Sequence, residues 1–220
     1  VTSRLSLYND ALLLVGERSL DTLNDNVEPR RLLDQAWNSD AVNACLEEAQ
    51  WQFAMRTVQI DYDPGITPPF GYQYAFDKPT DWVLTSAVSN DEFFTTPVTR
   101  YVDEAGFWYC DINPLYVRYV SNDSSYGSDM SKWPRSFSDF VAAHLATKIV
   151  LKLTKDDGKL ALFINPQNPQ HSIRGRALLN AKSRCAMSGP VQFPATGDWS
   201  RSRTRGSNRG DHGNTSGDLY

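Results

Sequence analysis

The sequence predicts an α+β protein, mainly α: a helical bundle with an inserted antiparallel β-meander and an extended C-terminal arm. Three observations carry this. Ser136 to Lys155 is apolar almost all the way round at helical spacing, which marks a core helix. After Trp51 the texture changes to strand-like alternation broken by Pro64-Gly65 and Pro68-Pro69. From Gly189 periodicity is lost and arginines are interspersed with Ser, Thr, Gly and Asn. These changes divide the chain into a bundle from residues 1–52 and 134–188, a β-rich insertion over 53–133, and an arm over 189–220.

Taken in order, Leu5 to Val15 forms the first helix, with Leu5, Tyr8, Leu12 and Val15 on one face and Gly16 as its stop. Glu17 to Val27 is polar and loop-like. Pro29 suits a helix first turn, and from Arg30 the apolar positions Leu32, Leu33, Ala36, Trp37, Ala41, Cys45, Leu46, Ala49 and Phe53 keep a helical period, which reads as one long helix to about Gln50 with a disturbance at Asn38-Ser39-Asp40.

Ala54 to Tyr62 alternates, and Trp82, Leu84 and Val88 lie an even number of residues apart. Pro97 to Val102 and Gly106 to Ile112 flank Asp103-Glu104-Ala105-Gly106, a hairpin loop. Asn113-Pro114 turns the chain into Leu115, Val117 and Tyr119 on one face, with Tyr116, Arg118 and Val120 on the other. A polar loop from Ser121 ends in Trp133-Pro134.

The central helix follows, with Ser136 as its cap and Asp139 in the first turn. Ala142, Leu145, Ala146, Ile149 and Leu153 recur at helical spacing, and the polar line left over is His144, Lys148 and Lys152. Asn165-Pro166-Gln167-Asn168-Pro169 interrupts. Ile173, Ala177, Leu178 and Ala181 then mark a last amphipathic helix, made basic by Arg174, Arg176, Lys182 and Arg184.

A chain of 220 residues, 40% hydrophobic, can bury one sizeable core plus an inserted subdomain. No apolar run is long enough to span a bilayer, and Leu12 to Val15 is too short for a secretion signal. The net charge of −4 excludes an electrostatic nucleic-acid binder. Cys45, Cys110 and Cys185 are odd in number and far apart, which argues against a disulfide framework or zinc site and suits a reducing cytoplasm. Val1 in place of Met suggests a processed or trimmed start.

The sequence offers no catalytic, cofactor or metal residues. It lacks a G-x-S-x-G elbow, a G-x-x-x-x-G-K loop and a G-x-G-x-x-G turn. His144, His171 and His212 have no carboxylate or cysteine at metal-ligand spacing, and His144 reads as a structural histidine. Asp61 and Asp63 could mimic a carboxylate pair, though a strand end running into Pro64-Gly65 explains them more simply. Asn122-Asp123-Ser124 and Asn214-Thr215-Ser216 match the glycosylation sequon by chance. Trp199 with Arg201, Arg203, Arg205 and Arg209 is interface vocabulary, so the arm reads first as a partner-docking segment, ahead of plain disorder and then of nucleic-acid contact.

Several stretches taken together resemble the head-to-tail adaptors of tailed phages, the group of tail tubular proteins and packaged-DNA stabilising connector proteins. They are Leu7-Tyr8-Asn9-Asp10-Ala11-Leu12-Leu13-Leu14-Val15-Gly16-Glu17, the run Ala49 to Arg56, Pro69 to Phe76 with Pro79-Thr80-Asp81-Trp82, Leu115 to Val120, and Trp133-Pro134 entering the central helix. Gly197-Asp198-Trp199 and the arginines after it are similar to the family's C-terminal arm. The Asn165–Pro169 interruption departs from the continuous helical hairpin expected there.

The resemblance implies a structural virion protein at the head–tail junction, assembled in the host cytoplasm and turning over no substrate. Its partners would be the portal protein, the tail nozzle protein and eleven further copies in a dodecameric ring. DNA would pass through the lumen without sequence-specific binding, and no membrane is involved. The alternative is an aromatic-rich carbohydrate-binding module of a tail or surface protein, with Trp82, Trp108, Tyr109 and Tyr116 as its platform. A third reading is a hydrolase using Asp61 or Asp63.

Overall fold

The chain opens with α1 (Arg4–Val15), capped at both ends by its own sequence. Ser3 and Ser6 exchange side-chain and backbone hydrogen bonds at the N-terminus, and Gly16 takes the left-handed conformation that lets its N–H reach the last carbonyls. The structure, a computed structural model, describes residues 2–69 and 71–189.

The long helix predicted from Arg30 to Gln50 is two helices, α2 (Glu28–Asn38) and α3 (Ala41–Leu46). The cause lies at the disturbance: the Ser39 hydroxyl donates to the Ala36 carbonyl, and Asp40 adopts positive φ, which ends one helix and re-aims the next. Six strands follow: β1 (Met55–Ile60), β2 (Tyr74–Asp77), β3 (Trp82–Ser89), β4 (Val102–Glu104), β5 (Phe107–Cys110) and β6 (Leu115–Ser121). Helices α4 (Arg135–Thr154), α5 (Asp157–Ile164) and α6 (Ile173–Ser188) complete the described chain. The architecture is α+β and mainly α.

The insertion is antiparallel but not a single sequential meander. It forms two three-stranded sheets, ordered β1-β6-β3 and β2-β5-β4. Pairing of β1 with β6, from Met55 opposite Val120 to Ile60 opposite Leu115, brings the entry and exit of the insertion side by side. The β4–β5 hairpin falls where the Asp103–Gly106 loop was predicted, with Ala105 and Gly106 both at positive φ, as a tight two-residue turn requires.

Two cores result. One is helical and gathers Leu7, Leu12, Leu33, Trp51, Phe140 and Leu145 among others. The other lies between the sheets and contains Phe76, Trp108, Leu115, Val117 and Tyr119. Strand β6 serves both, because Val120 joins the helical core while its alternate residues enter the sheet core. An aromatic knot fixes the junction: Phe137 packs against Trp51, Phe53 and Trp133 with ring centroids 4.8, 4.7 and 5.0 Å away. The two tryptophans satisfy their indole N–H groups on the Cys45 and Gly127 carbonyls.

Asp81, just before β3, accepts from Arg56 at 2.8 Å, from Tyr119 at 3.1 Å and from Ser121. Burial works against its charge, but hydrogen bonds from Ser121, Arg56 and Tyr119 outweigh it and hold the carboxyl below its usual range.

Helix α4 is central to the bundle, and α1, α2, α3, α5 and α6 all pack on it. Its cap differs from the sequence expectation. Pro134 occupies the N-cap position with no side-chain hydrogen bond, and Ser136 lies inside the first turn. Asp139 bonds Arg135 one turn back at 2.9 Å. Phe137 to Ala146 is buried on every side but Asp139; the helix emerges only toward its C-terminal half. Each large aliphatic it buries contributes roughly 1.5–3 kcal/mol.

Candidate functional site

The site is built where α4 surfaces. Helix α5 begins on Asp156, whose carboxylate accepts from the Gly158 and Lys159 N–H groups. Asn165 closes it at positive φ. The Asn165–Pro169 interruption then bends the chain back so that α6 can lie along α4. Ser172 locks this corner: its hydroxyl donates to the Pro169 carbonyl at 2.6 Å and accepts from the Gly175 N–H at 2.9 Å. Gly175 is required by proximity, since a Cβ there would lie 1.9 Å from the Pro169 oxygen.

Between α4, α5 and α6 lies a groove of about 800 Å³. Its apolar lining comes from Leu151, Leu160, Phe163, Ile164, Leu178 and Leu179. Leu151, Ile164 and Leu179 keep 42%, 44% and 43% of their surface exposed, so the groove is open along its length. Lys148 and Lys182 stand at its rim and make no ion pair among the described residues.

At its inner edge Arg174 pairs with Glu48, lies over the Phe140 ring, and donates from Nε to His144 Nδ1 at 3.2 Å. The acceptor role of Nδ1 puts the imidazole proton on Nε2, which is buried without a partner. Burial, reinforced by the charges of Arg174 and Lys148, pulls the His144 pKa down from 6.5 to about 4. The predicted polar line is therefore wet only from Lys148 onward, because α6 covers His144.

A second apolar surface lies on the other flank of α6, where Ile173 and Ala177 face α1. Leu13 and Leu14 of α1 are 76% and 41% exposed there. Asp10, Leu13 and Leu14 are spaced i, i+3 and i+4 along one side of α1, which Gly16 ends before Glu17. Arg135 bonds both Asp10 and Asp139 beside it.

The residues singled out in sequence fall elsewhere. Trp199, Arg201, Arg203, Arg205 and Arg209 lie outside the described residues, as does His212. Strand β1 ends before Asp61 and Asp63, and Asp63 is spent on a turn, its carboxylate accepting from the Gly65 N–H at 2.7 Å. His171 is exposed in the corner before α6.

The four aromatic residues considered as a sugar platform do not share an open face. Trp108 is fully buried with its N–H on Thr85, Tyr109 is almost buried, and Trp82 is covered by the Lys78 ammonium 3.6 Å from its ring centre. Cys45 and Cys110 are buried free thiols, and burial pushes Cys45 up to about 12. Among the described residues no group of three or more His, Cys, Asp or Glu could hold a metal ion, and no helix is long and apolar enough to cross a membrane.

The groove escaped sequence reading, although two signals pointed to it. Asp156-Asp157 ahead of Leu160, Phe163 and Ile164 is a capped helix start, and α4 carries more apolar surface than one core needs. No protein-family model matches this chain, and no curated protein matches it.

Proposed function

We propose that the protein is a structural virion component, a head-to-tail adaptor of a tailed phage. Copies assemble as a dodecameric ring between the portal protein and the tail nozzle and lengthen the DNA channel. One observation supports this above others: the residues that carry the resemblance are those on which the fold is built. Leu7, Tyr8, Leu12, Trp51, Phe76, Leu115 and Trp133 are all buried, and Asp81 of the Pro79–Trp82 stretch ties β1 and β6 to the start of β3. The resemblance is one of motif order, and the functional reading rests on it by analogy. An open apolar groove with a lysine rim suits an assembling subunit, since such a surface finds its stability in a partner. The net charge of −4 suits a conduit, because a strongly basic lumen would hold the duplex by counterion release.

The test is attachment. Purified protein added to tailless, DNA-filled heads of the phage that encodes it should co-sediment with them, form a collar of twelve copies under the electron microscope, and render them competent for nozzle addition. Heads that remain bare at micromolar protein would end the adaptor reading, as would turnover of a glycan lost on Asp61→Asn, Asp63→Asn substitution.

A further inference from the structure

We propose that the α4–α5–α6 groove is the seat of an acidic amphipathic helix supplied by a different protein. Its lining of Leu151, Leu160, Ile164, Leu178 and Leu179 takes an apolar stripe, and Lys148 from α4 and Lys182 from α6 take carboxylates flanking that stripe. The occupant is argued from charge. No Asp or Glu lines the groove, and Glu48, at its inner edge, is spent on Arg174. That pair cancels and leaves the two lysines, neither of which makes an ion pair among the described residues. Lys182 is half-buried, so a carboxylate that arrives together with apolar surface meets an ammonium group already partly shielded from water.

Shape selects a helix over a small ligand. Leu151, Ile164 and Leu179 are exposed along the groove, so an alkyl chain lying there would stay wet on its outer side. A helix instead turns its polar face outward and buries only its stripe. Along α6 the lining runs from Arg174 to Lys182, about 12 Å at the helical rise, which two to three turns of partner would cover. A second copy offers no matching face, since Asp10, beside its exposed Leu13 and Leu14, is already held by Arg135. The occupant is therefore another chain.

Fluorescence anisotropy with a labelled probe tests it on the full-length protein. The probe is a side-chain-stapled helix of about fourteen residues, with leucine at helical spacing and glutamate on both flanks of the stripe. Wild type should bind it saturably, and less tightly at high salt. A probe with lysine for glutamate, and one with serine for leucine, should each bind about tenfold or more weakly. Leu179→Asp, at an exposed position, should weaken the acidic probe by a similar factor. The double variant Lys148→Glu, Lys182→Glu should lose the acidic probe and take up the lysine one, an exchange that unfolding cannot produce. Circular dichroism checks that both variants fold. Phe93→Asp, 77% exposed but in the β3–β4 loop, should bind as wild type.

Absence of binding at millimolar probe overturns the proposal, and so does binding that Leu179→Asp and the charge reversal leave unchanged. Dodecanoate that binds in place of the probe, and is lost on Leu179→Asp, would make the groove a small-amphiphile site. Self-association in sedimentation velocity that Leu179→Asp abolishes would make it a contact between copies; either result overturns the proposed occupant. The proposal stands apart from the adaptor reading. Probe binding by protein that leaves heads bare removes that reading alone, and collars on heads without probe binding remove the groove proposal alone.

Discussion

His144 places a titratable ring where its charged form is penalised. Arg174 occupies one nitrogen, the other is buried without a partner, and burial lowers the pKa from 6.5 to about 4. Between those values the unfolded chain holds a proton here and the folded chain does not. Stability therefore rises with pH across the window, is fully present above about pH 6.5, and falls as pH drops toward 4 by about 3 kcal/mol at most. Urea midpoints measured from pH 4 to 7 should show this slope, and His144→Gln should flatten it. An unchanged slope in the variant would assign the titration to another group. Asp91 acts in a lower window: backbone N–H donation from Thr95 leads the causes that bring its carboxyl to about 2.

At the scale of elements, α4 allows one substitution to be compared in two settings. Leu145 is fully buried in the helical core, whereas Leu151, less than two turns on, borders the groove. Leu145→Asp places an unpaired carboxylate in the core and should cost about 4 kcal/mol or more, enough to unfold the bundle. Leu151→Asp should stay within about 0.5 kcal/mol of wild type. Equal melting temperatures for the two variants would remove α4 from the centre of the fold.

The elements also differ in how far they were legible beforehand. Alternation in Leu115 to Val120 was readable because β6 lies between two cores and each face has its own demand. Strand β2, Tyr74–Asp77, was not readable as a strand, since four residues between Pro69 and Pro79 are too few to establish a period. The break at Ser39-Asp40 showed as a disturbance, but its angle depends on one residue's positive φ. The groove was hidden because no single element contains it. It exists only where Asn165–Pro169 folds α6 back beside α5.

For the whole molecule, the arm and the body make separable claims. We hypothesise that Trp199, Arg201, Arg203, Arg205 and Arg209 dock on the portal or a neighbouring subunit. Deleting Val191 to Tyr220 should leave the melting of the body almost unchanged and abolish attachment to heads; Trp199→Ala should weaken it less, since in the proposed ring twelve arms would act together. Truncated protein that still forms collars would relieve the arm of that role.

The placement of α1 on α4 has a consequence in time. Val15 and Arg135 are separated by the entire insertion, so on the ribosome the first helix meets only α2, through Arg4 with Asp34 and Tyr8 with Trp37, and lacks its main packing surface until α4 is made. At ~5–20 residues per second, that wait is on the order of ten seconds. The sheets finish sooner: Ser121 emerges before Arg135, β1 closes on β6, and the two ends of the interrupted bundle are drawn together while its second half is still being synthesised. Nascent chains halted short of Arg135 should show strands protected from protease and α1 open to it; the opposite order of protection would disprove this sequence of events.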